Sequence, residues 1–214
     1  MGAFAGSLNY TSYRLDRPMP SAWRSRFVKK AQAQLAKEVT PEDEADQHIG
    51  WCNARSPFDT QLTEEKLVFG EYLVLGFRVD QLSVPGALLK LHCEREAKKL
   101  AHQLKKESLS RYELAELRET VQRKLRHRVL PTLKNIEVVL HSGNGVLRFF
   151  STSKNMNELF MSLFEETFSV LLIPDTVFTL AHSAALGLDE EALRGLDRVE
   201  AEPFTALIEE RGEG

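Results

Sequence analysis

The chain has 214 residues, 43% of them hydrophobic, and its 28 Lys and Arg against 31 Asp and Glu leave a formal charge of −3. That length buries a substantial core, and the near-neutral balance excludes a uniformly basic, DNA-coating protein, so any nucleic-acid surface has to be local. Cys52 and Cys93 fit neither a zinc spacing nor a disulfide framework and read as reduced thiols. Apolar runs such as Val170 to Ile173 fall far short of the roughly 20 residues that cross a bilayer, and Met1 to Ser7 lacks a basic stretch followed by a sustained apolar one; the expectation is a cytoplasmic protein with no membrane contact.

In chain order, Leu8, Tyr10 and Ser12 alternate with Asn9, Thr11 and Tyr13, which predicts a strand over 8–15. Pro20-Ser21 offers a helix start, and Trp23, Phe27, Ala31 and Leu35 recur at helical spacing to about Lys37. The acidic stretch Thr40 to Glu44 reads as a loop, and Ile49-Gly50-Trp51 as the beginning of a short strand. Lys66 to Phe69 and Glu71 to Val79 then read as two strands around Gly70.

Ser83-Val84-Pro85-Gly86 opens a segment rich in Leu, Ala, Glu, Lys and Arg, read as two helices over 85–106 and 109–129. The second begins with a capping-box pattern, Ser110 and Glu113. A short connection between them predicts an antiparallel helical hairpin. Beyond Pro131, Ile136 to Leu140 and Val146 to Phe150 flank Ser142-Gly143-Asn144-Gly145, a β-hairpin signal. A helix over Lys154 to Phe168 follows, with Met156, Leu159, Phe160, Leu163, Phe164 and Phe168 on one face, then a last strand around Val177 to Ala181. The fold class is α+β: two small antiparallel or mixed sheet units joined by a basic helical hairpin. The divisions are an N-terminal α+β unit (1–82), the hairpin (83–130), a second α+β unit (131–188) and an acidic, partly disordered tail (189–214).

The charge is unevenly spread. Between Lys90 and Lys134 there are 13 Lys and Arg against 6 Glu, a local net charge of +7 that leaves −10 for the rest. On the first middle helix, Leu89, Cys93, Leu100 and Leu104 share one side while Arg95, Lys98, Lys99, His102, Lys105 and Lys106 gather on the other. On the second, Leu114, Leu117, Val121, Leu125 and Val129 form a stripe. Arg111 and Arg118 lie on one margin of it and Lys124 on the other, while Arg123 and Arg126 point away. A cationic face along a helix axis reaches several phosphates and releases counterions. The same pattern also suits a solvated helix face, and Arg126-His127-Arg128 also suits the helix dipole.

Candidate chemistry is sparse. His48 and Cys52 fall on an expected strand, where helical i, i+4 ligand geometry is lost, and His92 and Cys93 diverge on a helix. Ser151-Thr152-Ser153-Lys154 precedes a helix, where Ser or Thr serves as a cap, and Gly143-Asn144-Gly145 suits a turn rather than a phosphate cradle. No catalytic set, metal or cofactor is expected, and the chain reads as a non-enzyme.

Several segments, in order, resemble the recombination-associated RdgC family. They are Tyr13-Arg14-Leu15 in the opening strand, Gly50-Trp51 after the first helix, the Val84-Pro85 entry to a long charged helix, and Lys105-Lys106-Glu107-Ser108-Leu109 at the helix junction. Val129-Leu130-Pro131, the hairpin around Gly145, and Leu163-Phe164-Glu165-Glu166-Thr167-Phe168 complete the set, which covers about 8–181. The resemblance implies a nucleoid-associated homodimer that closes a ring, binds duplex DNA without sequence preference and antagonises a RecA-type recombinase, with no catalysis and no cofactor. Members of that family carry further C-terminal segments that help close the ring, so ring closure is not carried over to this chain. The expected phosphate contacts are Arg95, Lys98, Lys99, Lys105, Lys106, Arg111, Arg118, Arg123, Lys124, Arg126 and Arg128. The alternative expectation is a protein-interaction module whose hairpin mediates assembly or docks a partner without DNA.

Overall fold

A computed structural model of the protein describes residues 8–181 and 189–196. It divides into two compact units, one through Leu172 and one from Ile173. The first unit contains strands β1 (Thr11–Leu15), β2 (Gln47–Cys52), β3 (Val68–Phe69), β4 (Tyr72–Gln81), β5 (Thr132–His141) and β6 (Val146–Phe149). Its helices are α1 (Trp23–Ala33), a single turn α2 (Glu64–Leu67), α3 (Gly86–Gln103), α4 (Arg111–Arg126) and α5 (Lys154–Phe168). The α+β class holds.

The two sheets expected from the sequence are one. β4 pairs antiparallel with β5 along ten residues, from Tyr72↔His141 to Gln81↔Thr132, which joins the strands of both halves in the order β2-β4-β5-β6-β1. β3 sits beside β4 on the same side as β2. One sheet satisfies backbone donors and acceptors that two small sheets would leave on open edges.

Alternation along the strands turns one face toward α1 and α5. Leu73, Leu75, Phe77 and Val79 of β4 join Trp51, Val138, Leu140, Leu147 and Phe149 in a core with Phe27, Phe160, Phe164 and Phe168. Trp51 lies at its centre, fully buried, edge-on to Phe77, Phe160 and Phe164, and its indole N–H donates to Thr167 Oγ1 at 2.8 Å. A large ring buried with its one donor satisfied contributes several kcal/mol (~2–3 from area alone) at no polar cost. On the opposite face, Arg78 and Asp80 form a buried two-point pair at 2.6 Å, and Arg78 reaches Pro57 O at 3.1 Å, pinning the 53–62 loop over the sheet.

Several local expectations need correction. The first helix ends at Ala33 rather than near Lys37, because Gln34 to Ala36 leave it to pair along β2, with Trp51 N–H donating to Gln34 O and Ala36 N–H to Trp51 O, both at 2.9 Å. Lys66 to Phe69 is a helical turn with only two strand residues, since Lys66 and Leu67 donate back to Thr63 O and Gly70, at φ +64°, turns the chain at once. The helix expected to reach 106 stops at Gln103, and the one expected to reach 129 stops at Arg126. Lys154 to Phe168 is helical as read, and Ser153 holds the cap position, but its side chain makes no cap bond.

The chain crosses from the first unit to the second within a short strand, β7 (Leu172–Pro174), that the sequence did not suggest. In the second unit, Val177–Ala181 is a helix, α6, not a strand: Thr176 Oγ1 accepts the Thr179 N–H at 3.1 Å, an N-terminal cap that outweighs the β-favouring composition. Glu190–Leu196 forms α7, capped by Asp189, whose Oδ1 accepts the Ala192 N–H at 2.8 Å. The rest of the expected disordered tail, 197–214, lies outside the described residues. Among the described residues no helix is long and apolar enough to cross a membrane.

Candidate nucleic-acid interface

The basic segment is an insertion between two neighbouring strands. β4 ends at Gln81, paired with Thr132 where β5 begins, and the 50 residues between them form α3, a turn and α4. At 1.5 Å per residue α3 is about 27 Å long. The helices hold each other through a small cluster of their own, Leu89, Val121 and Leu125 buried, with Val84, Cys93 and Leu117 beside them, separate from the sheet's core.

Charge and capping build the turn between the helices. Lys105 adopts a left-handed φ of +52°, Lys106 N–H donates to Ala101 O at 3.0 Å, and α3 stops. The capping box read from the sequence is present: Glu113 N–H donates to Ser110 Oγ at 3.2 Å and Ser110 N–H to Glu113 Oε2 at 2.8 Å. Lys106 Nζ adds a bond to Glu113 Oε1 at 2.6 Å. This bond, followed by those from Ser110, holds the Glu113 carboxyl down to about 2.

The candidate phosphate contacts fall into two sets. Four are engaged: Arg95 with Glu96 at 3.1 Å, Lys99 with the same carboxylate at 3.0 Å, Lys106 with Glu113, and Arg126 with Asp46. The hydrogen bond from Lys99, which outweighs the opposing effect of burial and is joined by Arg95, holds the Glu96 carboxyl below its usual range. The other seven, Lys98, Lys105, Arg111, Arg118, Arg123, Lys124 and Arg128, are exposed and make no ion pair with a described residue. Lys98 lies on the outward side of α3, Lys105 in the turn just past its end, and Arg111 and Arg118 on one margin of α4.

Arg126 is placed apart from the rest. It points away from the hairpin's stripe, as read, but into the acidic loop before β2, where it pairs with Asp46 and donates to Asp43 O and Ala45 O, both at 2.9 Å. His127 adds an approach to Glu42 at 3.7 Å and His48 one to Asp43 at 3.4 Å. The sequence held the signal, an acidic run in a chain with one basic segment, yet nothing local ties Asp46 to Arg126. The hairpin also exposes Leu88, Leu91, Leu104, Tyr112 and Leu114, with Tyr112 79% exposed. Cys52 is free and buried, its thiol pushed up to about 12 by burial, and Cys93 is a free thiol within the hairpin. Among the described residues no group of three or more His, Cys, Asp or Glu is placed to hold a metal ion.

Residues 8–187 match the family model described as "Putative exonuclease, RdgC". No curated protein matches the chain.

Proposed function

Because the chain belongs to the RdgC family, recombination-related proteins of the nucleoid, we propose that it binds duplex DNA without sequence preference through its helical hairpin and so modulates recombination or replication. The observation that carries this reading is the set of seven exposed cations, none in an ion pair with a described residue, on an arm that stands outside the core. Ammonium and guanidinium groups spread along an arm about 27 Å long span several phosphates and gain affinity by releasing counterions, which needs no base contact. Lys98, Lys105, Arg111, Arg118, Arg123, Lys124 and Arg128 are the primary contacts. Arg95, Lys99 and Lys106 join them by exchanging a carboxylate for a phosphate, and Arg126 holds the arm in place. The reading includes a homodimer and antagonism of a RecA-type recombinase, and no catalytic step.

The test is fluorescence anisotropy of a labelled random-sequence duplex titrated across a salt series. The expected result is sequence-indifferent binding whose logarithm falls steeply with log salt, by roughly 0.9 per phosphate engaged. Replacing Lys98, Lys105, Arg118 and Arg123 by Glu abolishes it. Binding that survives this replacement overturns the assignment, and shortening of the duplex on incubation with Mg²⁺ overturns the absence of catalysis.

A second reading rests on the exposed Leu88, Leu91, Leu104, Tyr112 and Leu114, which a protein partner covers better than a phosphate backbone does. In that case the hairpin is an assembly or docking module. Light scattering would show an oligomer that persists as salt is raised and the duplex would not bind.

A further inference from the structure

After β1 the chain turns through Asp16 to Pro20 before entering α1, and this turn, α1 and the end of α5 enclose a cleft of about 330 Å³. The floor is apolar. Leu15, Met19 and Val170 line it together with Phe27 and Phe168, whose rings stack 4.6 Å apart. The charged groups of the lining, Arg17, Arg26 and Lys30, are all cationic, and among the described residues no carboxylate lines the cleft.

The three cations are committed to different degrees. Arg17 is paired with Asp16 at 2.8 Å. Lys30 donates to Phe168 O at 2.7 Å and Ser169 Oγ at 3.3 Å, offsetting the negative end of α5 while keeping a third donor. Arg26 is exposed and has no ion-pair partner among the described residues.

We propose that this cleft is a docking site for an acidic peptide segment of a partner protein, with one large apolar side chain on the Phe27–Phe168 pair and adjoining carboxylates against Arg26 and Lys30. Charge complementarity selects the acidic character, and the stacked floor selects the anchor. A nucleic-acid backbone satisfies the first requirement only. The volume is at the low end of the roughly 300–1,000 Å³ of small-molecule sites, which suits a single side chain held by a chain that continues across the rim. The site lies outside the hairpin and stands or falls independently of DNA binding.

The experiment titrates the full chain into a fluorescein-labelled peptide, Ser-Asp-Asp-Asp-Leu-Phe with a free C-terminus, and follows anisotropy. Saturable binding is expected, weakened about tenfold or more by Arg26→Glu and by replacing the peptide's Phe with Ala. It is retained by Arg26→Lys and by the hairpin variant carrying Lys98→Glu, Lys105→Glu and Arg118→Glu. Arg26 is exposed and makes no ion pair with a described residue, so its variants are expected to keep the fold, which the unchanged thermal unfolding of each variant checks. Equal binding by Arg26→Glu, loss of binding in the hairpin variant, or no binding at all overturns the proposal. So does displacement by N-acetylphenylalaninate at the peptide's own concentration, which makes the cleft a small-molecule site.

Discussion

Arg126 on α4 and Asp46 in the loop before β2 form an ion pair across 80 residues of sequence, and the arginine's remaining reach goes to the carbonyl oxygens of Asp43 and Ala45. Its Nε is buried with no hydrogen-bond partner among the described residues, so among these the side chain is held by its terminal nitrogens. The pair is the tie between the hairpin's base and the loop, and it removes one cation from the surface available to phosphates.

Arg126→Ala therefore loosens the arm. The variant is expected to lose about 1–3 kcal/mol of stability, with faster amide exchange in α3 and α4 while β4 and β5 stay protected. The slope of log affinity against log salt on duplex DNA should hold, whereas Arg123→Ala lowers it by about 0.9. An equal fall in both would make Arg126 a phosphate contact.

The Arg78–Asp80 pair is buried, both side chains 3% exposed, and the hydrogen bond from Arg78 to Asp80 is the main cause of the raised arginine pKa. Asp80→Asn leaves the buried guanidinium with only a longer approach to the exposed Glu38 at 3.8 Å and is expected to cost about 3–5 kcal/mol in urea denaturation. Arg78→Met combined with Asp80→Leu removes both charges and should recover much of that loss. A double variant no better than the single one would show that the pair's geometry, rather than the stranded charge, matters.

Glu113 gives the hairpin a defined acid response. Its folded carboxyl is lowered from 4.5 to about 2, first by Lys106 and then by Ser110. A depressed folded value means that the stabilisation is present above about 4.5 and is lost as pH falls toward 2. Titration of the Ser110 and Glu113 amide resonances should show the start of α4 fraying within that window, and Glu113→Ala should show the same fraying at neutral pH.

Gly50 lets the chain after α1 lie against β2, since a Cβ there would stand 2.5 Å from Ala36 N and 2.6 Å from Leu35 C. Both neighbours are backbone, so neither yields cheaply. Gly50→Ala is expected to cost about 2–3 kcal/mol and to release the protection of the Ala36 and Trp51 amides, read by thermal unfolding and hydrogen exchange.

What was legible in the sequence was local. The apolar face from Met156 to Phe168 gave α5 its bounds, and Ser110 with Glu113 gave the capping box, because each signal lies within a few residues of what it controls. The union of the two halves in one sheet was not legible: Gln81 and Thr132 pair across an insertion, and no residue near either names the other. Composition misled at Val177 to Ala181, where Val, Phe and Thr favour a strand and a threonine just ahead of them caps a helix. Among the cations, sequence periodicity identified the exposed faces but not Arg126's acceptors, since those lie on a loop that only the tertiary fold brings near.

The pairing of Gln81 with Thr132 has one more consequence. Cross-strand partners stand about 5 Å apart, so the whole arm leaves and re-enters the sheet through a gap that a two-residue turn would bridge. It is in effect an interchangeable cassette. Lengthening it by whole helical turns, shortening it, or cutting it back to Asn-Gly leaves the strand register untouched, and how far the protein reaches can vary while the body that carries the arm stays the same.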